Sequence, residues 1–402
     1  MTLVLRRLLL TLFVLLFCLS LSHVTTAEEA DALLPADPAL HIGTLANGVT
    51  YWVRSHATPP GKITLWMRVG TGSLNEADGQ EGLAHYLEHM AFKGTEHFPP
   101  GELVAFFESL GLRFGQHQNA FTGFDQTTYT LSLPDTRPET LDKGLLYFAD
   151  IAFRMRLAAD DVDKERGVIL EEKRARKGVQ QRLTEKLLPE LLPGSRIAQR
   201  LPIGLEETIT HLQRGDFMAY YTTWYHPAKV TILAVGDAPV DTIVAAITKH
   251  FASWKRDQAA PADKDAGIRP YDAPQTLVVT DPELTTASVE TLALRPWKPI
   301  KTVADLRRQR LERLDTWMVN RRMEQRIREG AAPYQTASVR QGVFLGVTEQ
   351  IGAEAEAAPA AWTAAMTDLI TDMQSARLHG FTDQDRGGLA SPTARASRSL
   401  DG

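Results

Sequence analysis

The stretch Gly82 to Gly94, GLAHYLEHMAFKG, carries His85, Glu88 and His89 at spacing i, i+3, i+4 inside an apolar run. On a helix this spacing stacks the three side chains on one face within little more than a turn, so two imidazoles and a carboxylate converge on one point. Leu83, Ala84, Leu87 and Met90 suit a buried helix. Burying two imidazoles and a carboxylate with no partner between them is costly. A metal ion supplies that partner; the alternative is a core helix in which two histidines fall by chance.

Read as chemistry, two imidazoles so placed can bind zinc. The carboxylate one turn from the first His is then close enough to polarise a zinc-bound water rather than to ligate the ion. The order His-x-x-Glu-His is the inverted zinc-hydrolase motif. Cysteine usage narrows the ligand set. The one cysteine, Cys18, lies in an uncharged run from Leu8 to Leu21 that follows Arg6 and Arg7 and precedes Thr25-Thr26-Ala27. That is the order of a secretory leader, expected over residues 1–27, and it predicts an exported protein, periplasmic if bacterial and otherwise secreted. Fourteen residues fall short of the roughly twenty that span a bilayer, so no stable membrane anchor is expected. A mature chain without cysteine excludes a disulfide framework and a thiolate site. Zinc must rest on His and carboxylate.

The chain of 402 residues, 44% hydrophobic and 23% charged, has the composition of a soluble globular protein with two or three domains. Loss of Arg6 and Arg7 takes the formal charge from -5 to -7, which does not point to a nucleic-acid partner.

From Leu40 the pattern is of strands: HIGTLANGVTYWVR places Asn47-Gly48 as a tight turn between two alternating runs. Lys62 to Gly70 reads as another strand, then the motif helix. Pro99-Pro100 opens a helix over Glu102 to Leu110, and Leu112 to Ala120 and Thr127 to Leu133 are the next strands. Helices follow over Thr140 to Arg156 and Asp160 to Arg176. In the latter Glu165, Ile169 and Glu172 share a face at i, i+4, i+7, so a carboxylate could come from it to complete a two-His, one-Glu set with a position open for water. The alternative is a solvated acidic face. Residues 179–200 read as helix broken by Pro189 and Pro193, and Val230 to Val235 as a strand closing the sheet.

GLAHYLEHMAFKGT, NAFTGFDQTTYTLSLP (Asn119 to Pro134), ERGVILEE (Glu165 to Glu172), PIGLEETI (Pro202 to Ile209) and FMAYYTTWYHPAKVTILAVGD (Phe217 to Asp237) occur in that order. Together they resemble the pitrilysin/insulinase family of zinc metallopeptidases, over roughly Leu40 to Phe381. The resemblance implies one zinc per chain on His85, His89 and Glu172, with Glu88 as general base. It matches Glu165 to the family's second acid, which could orient a ligand histidine. Asn119 and Ala120 match the family's edge strand, which takes a peptide substrate by strand addition. His97, His117, His211, His226 and His379 read as structural or exposed.

Trp254 to Pro274 reads as a linker. Beyond it, strands are expected over Thr276 to Thr280, Ala287 to Leu294 and Gln341 to Thr348, and helices over Val303 to Glu329 and Ala360 to Leu378. The eight arginines of the long helix go all round it among acids, so no nucleic-acid face is expected. Thr382-x-x-Asp385 is a helix-start capping box, yet Gly387-Gly388 and Pro392 follow, as in a truncated or frame-shifted end or a disordered tail. The expected architecture is α+β: two-layer domains, each a mostly antiparallel sheet against helices, repeated twice with the second copy incomplete. The expected segments are a leader (1–27), a zinc-bearing domain (28–253), a linker (254–274), a partial second domain (275–385) and an irregular tail (386–402). The family closes two such halves around a substrate, so a second half is expected from a C-terminal continuation, a homologous subunit or a homodimer. The expected reaction is zinc-dependent endopeptidase hydrolysis. The rivals are a peptide-binding or assembly subunit of the same fold and an inactive fragment of a longer peptidase.

Overall fold

Asn47-Gly48 turns the chain back on itself: Gly48 takes φ 100, its N–H donates to Leu45 O at 2.9 Å, and Leu45 N–H donates to Val49 O at 2.8 Å. The flanking runs therefore pair antiparallel as β1 (Leu40–Thr44) and β2 (Thr50–Ser55). The computed structural model describes residues 31–102, 105, 108, 111, 115, 117–344, 348–382 and 385. The leader, the tail, most of the helix expected over Glu102 to Leu110 and the start of the strand expected over Leu112 to Ala120 lie outside them.

Two compact units are present, residues 37–283 and residues 31–36 with 284 onward. In the first, β3 (Ile63–Val69), β4 (Gln118–Thr122), β5 (Thr127–Leu133) and β6 (Val230–Gly236) join the hairpin in the order β1-β2-β6-β3-β5-β4. All pairs are antiparallel except β2 with β6. Strand β6 does not close the sheet as expected but lies inside it. Its residues Val230, Ile232 and Ala234 are buried, and both of its edges are paired, a placement that the pattern of a single strand does not encode.

One sheet face carries the core. Ile63, Leu65, Met67 and Val69 alternate inward on β3, Tyr129, Leu131 and Leu133 on β5, the period of two of a half-buried strand. Against them pack α1 (Leu83–Met90) and α2 (Pro138–Phe153). Then come α3 (Ala159–Ala175), α4 (Val179–Leu191), the single turn α5 (Arg196–Gln199), α6 (Glu206–His211), α7 (Arg214–Trp224) and α8 (Val240–Phe251). Pro189 lies inside α4, which runs on to Leu191; so near a helix end the missing N–H costs one bond and no break follows. Trp52, Trp66 and Phe121 are exposed on the opposite sheet face. Thr276 to Thr280 is not a strand: it joins no ladder among the described residues, and Asp281 beyond it is tied to Arg182 by two bonds of 2.8 Å.

The second unit is also α+β. Strands β7 (Ala287–Arg295), β8 (Thr336–Phe344) and β9 (Thr348–Ala357) form an antiparallel sheet in the order β7-β9-β8. The helices α9 (Val303–Arg328) and α10 (Trp362–His379) pack on Ala353, Ala355 and Ala357 through Val319, Met323, Ala365 and Leu369. A capping box of Thr302 and Asp305 starts α9. Its arginines are partly used internally, as Arg326 with Asp368 and Asp372. At the expected Thr382 box, Thr382 N–H donates to Asp385 Oδ2 at 2.7 Å and Asp385 N–H to Thr382 Oγ1 at 3.3 Å.

Candidate metal centre

The helix α1 has no side-chain cap of its own: Gly82 stands at its N-cap with φ 100. The first-turn N–H groups are met from outside, by Glu76, whose carboxyl accepts from Ala84 N–H at 2.9 Å and Gly82 N–H at 3.1 Å. Glu76 is fully buried, and burial pushes its pKa up to about 8 against the pull of those N–H groups. Gly82 in turn lies against Gly204 (φ 69), where a Cβ would stand 2.4 Å from Glu81 O and Gly82 Cα. The start of α1 is thus fixed by backbone contact. Its side is fixed on α3 and α7: the Tyr86 hydroxyl donates to Val162 O of α3, and the Tyr86 ring meets Phe217 of α7 edge-on at 4.8 Å.

With α1 and α3 so held, His85, His89 and Glu172 come together, with ligand atoms within 4.8 Å of one another. His89 Nε2 is 3.3 Å from Glu172 Oε2, and His85 Nε2 is 3.7 Å from Glu172 Oε1. Two donors about 2.0–2.1 Å from a tetrahedral zinc are separated by about 3.4 Å, so the cage fits such an ion. Burial lowers the pKa of His85 to about 3, with help from His89 and Arg176, so its ring is a neutral donor. Its Nε2 is the nitrogen that faces Glu172, and its buried Nδ1 has no hydrogen-bond partner among the described residues. Burial also disfavours the charged form of His89, but the hydrogen bond to Glu165 and the charges of Glu88 and Glu172 hold its pKa above the usual value.

Glu165, 4% exposed, accepts at Oε1 from His89 Nδ1 at 2.9 Å and pairs at Oε2 with Lys93 Nζ at 2.5 Å. Glu88 is buried beside the cage; burial raises its pKa to about 6, opposed by the Thr122 hydroxyl, which donates to Glu88 Oε2 at 2.7 Å. Arg176, one turn beyond Glu172, pairs with that carboxylate. Asn119 and Ala120 lie on the edge strand β4; Asn119 Oδ1 accepts the Ala120 N–H at 2.9 Å. Of the remaining histidines, His97 Nδ1 is 2.9 Å from Asp150 Oδ1 and His226 Nδ1 accepts from Ala228 N–H.

Sequence reasoning missed Lys93, Thr122, Arg176 and Glu76. The first three carried a signal: Lys93 and Arg176 stand four residues after His89 and Glu172, and Thr122 two after Ala120 on one strand face. Glu76 carried none, because its reach to α1 depends on a loop folding back.

Two family models match the chain: Insulinase (Peptidase family M16) over residues 52–201, and Peptidase M16 inactive domain over residues 211–385. The chain belongs to the M16 peptidase family. The expected site residues His85, Glu88, His89, Asn119, Ala120, Glu165 and Glu172 all fall in the first match. The probable zinc protease PqqL of Escherichia coli is 37% identical over 229 residues, 57% of this chain and 25% of that protein. A zinc protease PQQL-like protein of Arabidopsis thaliana is 31% identical over 304 residues, 75% of this chain and 32% of that one. The chain thus spans about a third or less of these relatives. The crystal structure of the first half of the periplasmic protease PqqL of Escherichia coli superposes with TM-score 0.84 at 28% identity, covering 92% of this chain and 79% of that one.

Proposed function

We propose that this M16 chain is the zinc-bearing half of an exported endopeptidase that hydrolyses peptides or small unfolded proteins. The observation that carries the reading is the convergence of His85 Nε2, His89 Nε2 and the Glu172 carboxylate, with the Glu88 carboxylate beside them and, next to it, a strand edge that no strand among the described residues pairs with.

Bound by these three residues, zinc would polarise a scissile carbonyl and lower the pKa of a water molecule. Glu88, buried beside these residues with its carboxylate held by Thr122, is placed to act as a general base, taking a proton from the attacking water and returning it to the leaving group. Glu165 holds His89 in the tautomer that presents Nε2. Along β4, the segment of Asn119 and Ala120 receives an extended peptide by backbone pairing at its outer edge, to which Ala120 turns its N–H and C=O, a mode that favours loose sequence preference.

Support for export comes from the leader-like residues 1–27 and from the periplasmic protease named above. No helix among the described residues is long and apolar enough to cross a membrane. A second half of similar design would complete the enclosure of a substrate, as the two-part naming of that structure suggests.

The test is Glu88→Gln in the full chain. Turnover of a quenched peptide should vanish while about one zinc per chain is kept; unchanged turnover rules out the role. Zinc that persists in a His85→Ala variant would rule out the cage.

A further inference from the structure

The edge strand β4 works on two sides. His117 O accepts from Ser132 N–H at 2.7 Å, and Gly123 N–H donates to Gln126 O at 2.8 Å. These pairs share one register with Asn119↔Thr130 and Phe121↔Thr128. In an antiparallel ladder such residues exchange both backbone bonds with the partner strand, and the residues between them point theirs away. Ala120 and Thr122 therefore turn N–H and C=O to the outer edge of β4, and no strand among the described residues pairs with that edge.

The side chain of Thr122 goes elsewhere. Strand alternation turns it to the helix layer, where Oγ1 donates to Glu88 Oε2 at 2.7 Å. Glu88 is 6% exposed, and this is the hydrogen bond that the structure gives its carboxylate. A buried carboxylate with a single donor takes its orientation from that donor.

We propose that Thr122 is a positioning residue that sets the register between an added substrate strand and Glu88. The inference rests on the peptidase reading and deepens it. A peptide paired to the outward backbone of Thr122 is held by the same residue whose hydroxyl holds the base. Substrate and base then cannot slide along β4 independently. Valine keeps the shape and strand preference of threonine without the hydroxyl; serine keeps the hydroxyl. Proline removes the outward N–H at an edge position where the ladder to β5 loses no bond.

The experiment uses the full chain with zinc and a quenched peptide, and measures peptide binding separately on the Glu88→Gln chain. Thr122→Val should lower kcat about tenfold or more, the scale of a hydrogen bond to a charged group, with KM and zinc content kept. Thr122→Ser should restore most of kcat. Thr122→Pro, placed in the Glu88→Gln chain, should weaken peptide binding by about twofold to tenfold, the scale of one backbone bond. The proposal is overturned by a Thr122→Val enzyme of normal kcat, by zinc loss in that variant, by a serine variant as slow as the valine one, or by undiminished binding in the proline variant. A wild-type chain that holds zinc but neither binds nor cleaves the peptide overturns the peptidase reading and this proposal together; a cleaving wild type with an unaffected valine variant overturns this proposal alone.

Discussion

His89 Nδ1 lies 2.9 Å from Glu165 Oε1, and this contact leaves Nε2 as the ring nitrogen open to a metal. With Nδ1 engaged, Nε2 alone faces Glu172 and His85. Glu165 is held from its far side by Lys93, so the carboxylate cannot swing away. Outer partners of this kind are worth about 10–100-fold in metal affinity. Glu165→Ala should therefore weaken zinc binding by that factor in a chelator competition, and Glu165→Gln, which keeps an acceptor oxygen, by less. Equal affinity in all three chains would show that the contact does not orient the ring.

Gly204 and Gly82 approach so closely that neither admits a side chain. A Cβ on Gly204 would lie 2.4 Å from backbone atoms of Glu81 and Gly82, at φ 69. Gly204→Ala is expected to destabilise the metal-free chain by about 1–3 kcal/mol, read by chemical denaturation. Gly167 makes the contrast. It sits in α3 with nothing within 4 Å of a Cβ, so Gly167→Ala should stabilise by about 0.5–1 kcal/mol. A harmless Gly204→Ala would mean that the start of α1 is not fixed by this packing.

The contrast between local and long-range contacts explains how much was legible in the sequence. The positions of His85, Glu88 and His89 on one helix face, and of Glu165 and Glu172 on another, follow from spacings within seven residues, which the helix period alone dictates. The hairpin at Asn47-Gly48 is equally local. The site of β6 is not: its pattern says only that alternate residues are buried, and the choice between an edge and the middle of the sheet depends on strands far away in sequence. Thr276 to Thr280 has a strand's composition, yet a strand needs a partner, and Asp281 instead binds Arg182. Glu76 carries no local signal, because its burial depends on the loop to Gly82 folding back over it.

That buried acid gives a pH dependence with a definite sign. The pKa of Glu76 is raised by burial from 4.5 to about 8, so between those values the folded chain holds a proton that the unfolded chain has lost. Stability falls wherever the folded state binds more protons. The contribution is thus fully present below about 4.5 and is lost as pH rises through about 8, by at most about 1.4 kcal/mol per unit. Glu76→Gln has nothing to ionise there. The melting temperature of the wild type should fall relative to that variant between pH 5 and pH 9; parallel profiles would place the ionisation of Glu76 outside this window.

Backbone amides of β4 offer the most direct look at substrate capture. The N–H groups of Asn119 and Phe121 point at β5 and those of Ala120 and Thr122 at the outer edge, as the register with β5 requires. Hydrogen exchange in the Glu88→Gln chain with zinc should therefore be slow at Asn119 and Phe121 with or without peptide. At Ala120 and Thr122 it should be fast without peptide and slow with it. The Ala120 amide has one further requirement: it must leave Asn119 Oδ1, its acceptor in the free chain, before a substrate carbonyl can take it. Replacing Asn119 by Ala removes that competitor and should make Ala120 exchange faster than in the free wild type. Protection that arises at the wrong parity, or nowhere on β4, would mean that peptide is held by some means other than an added strand.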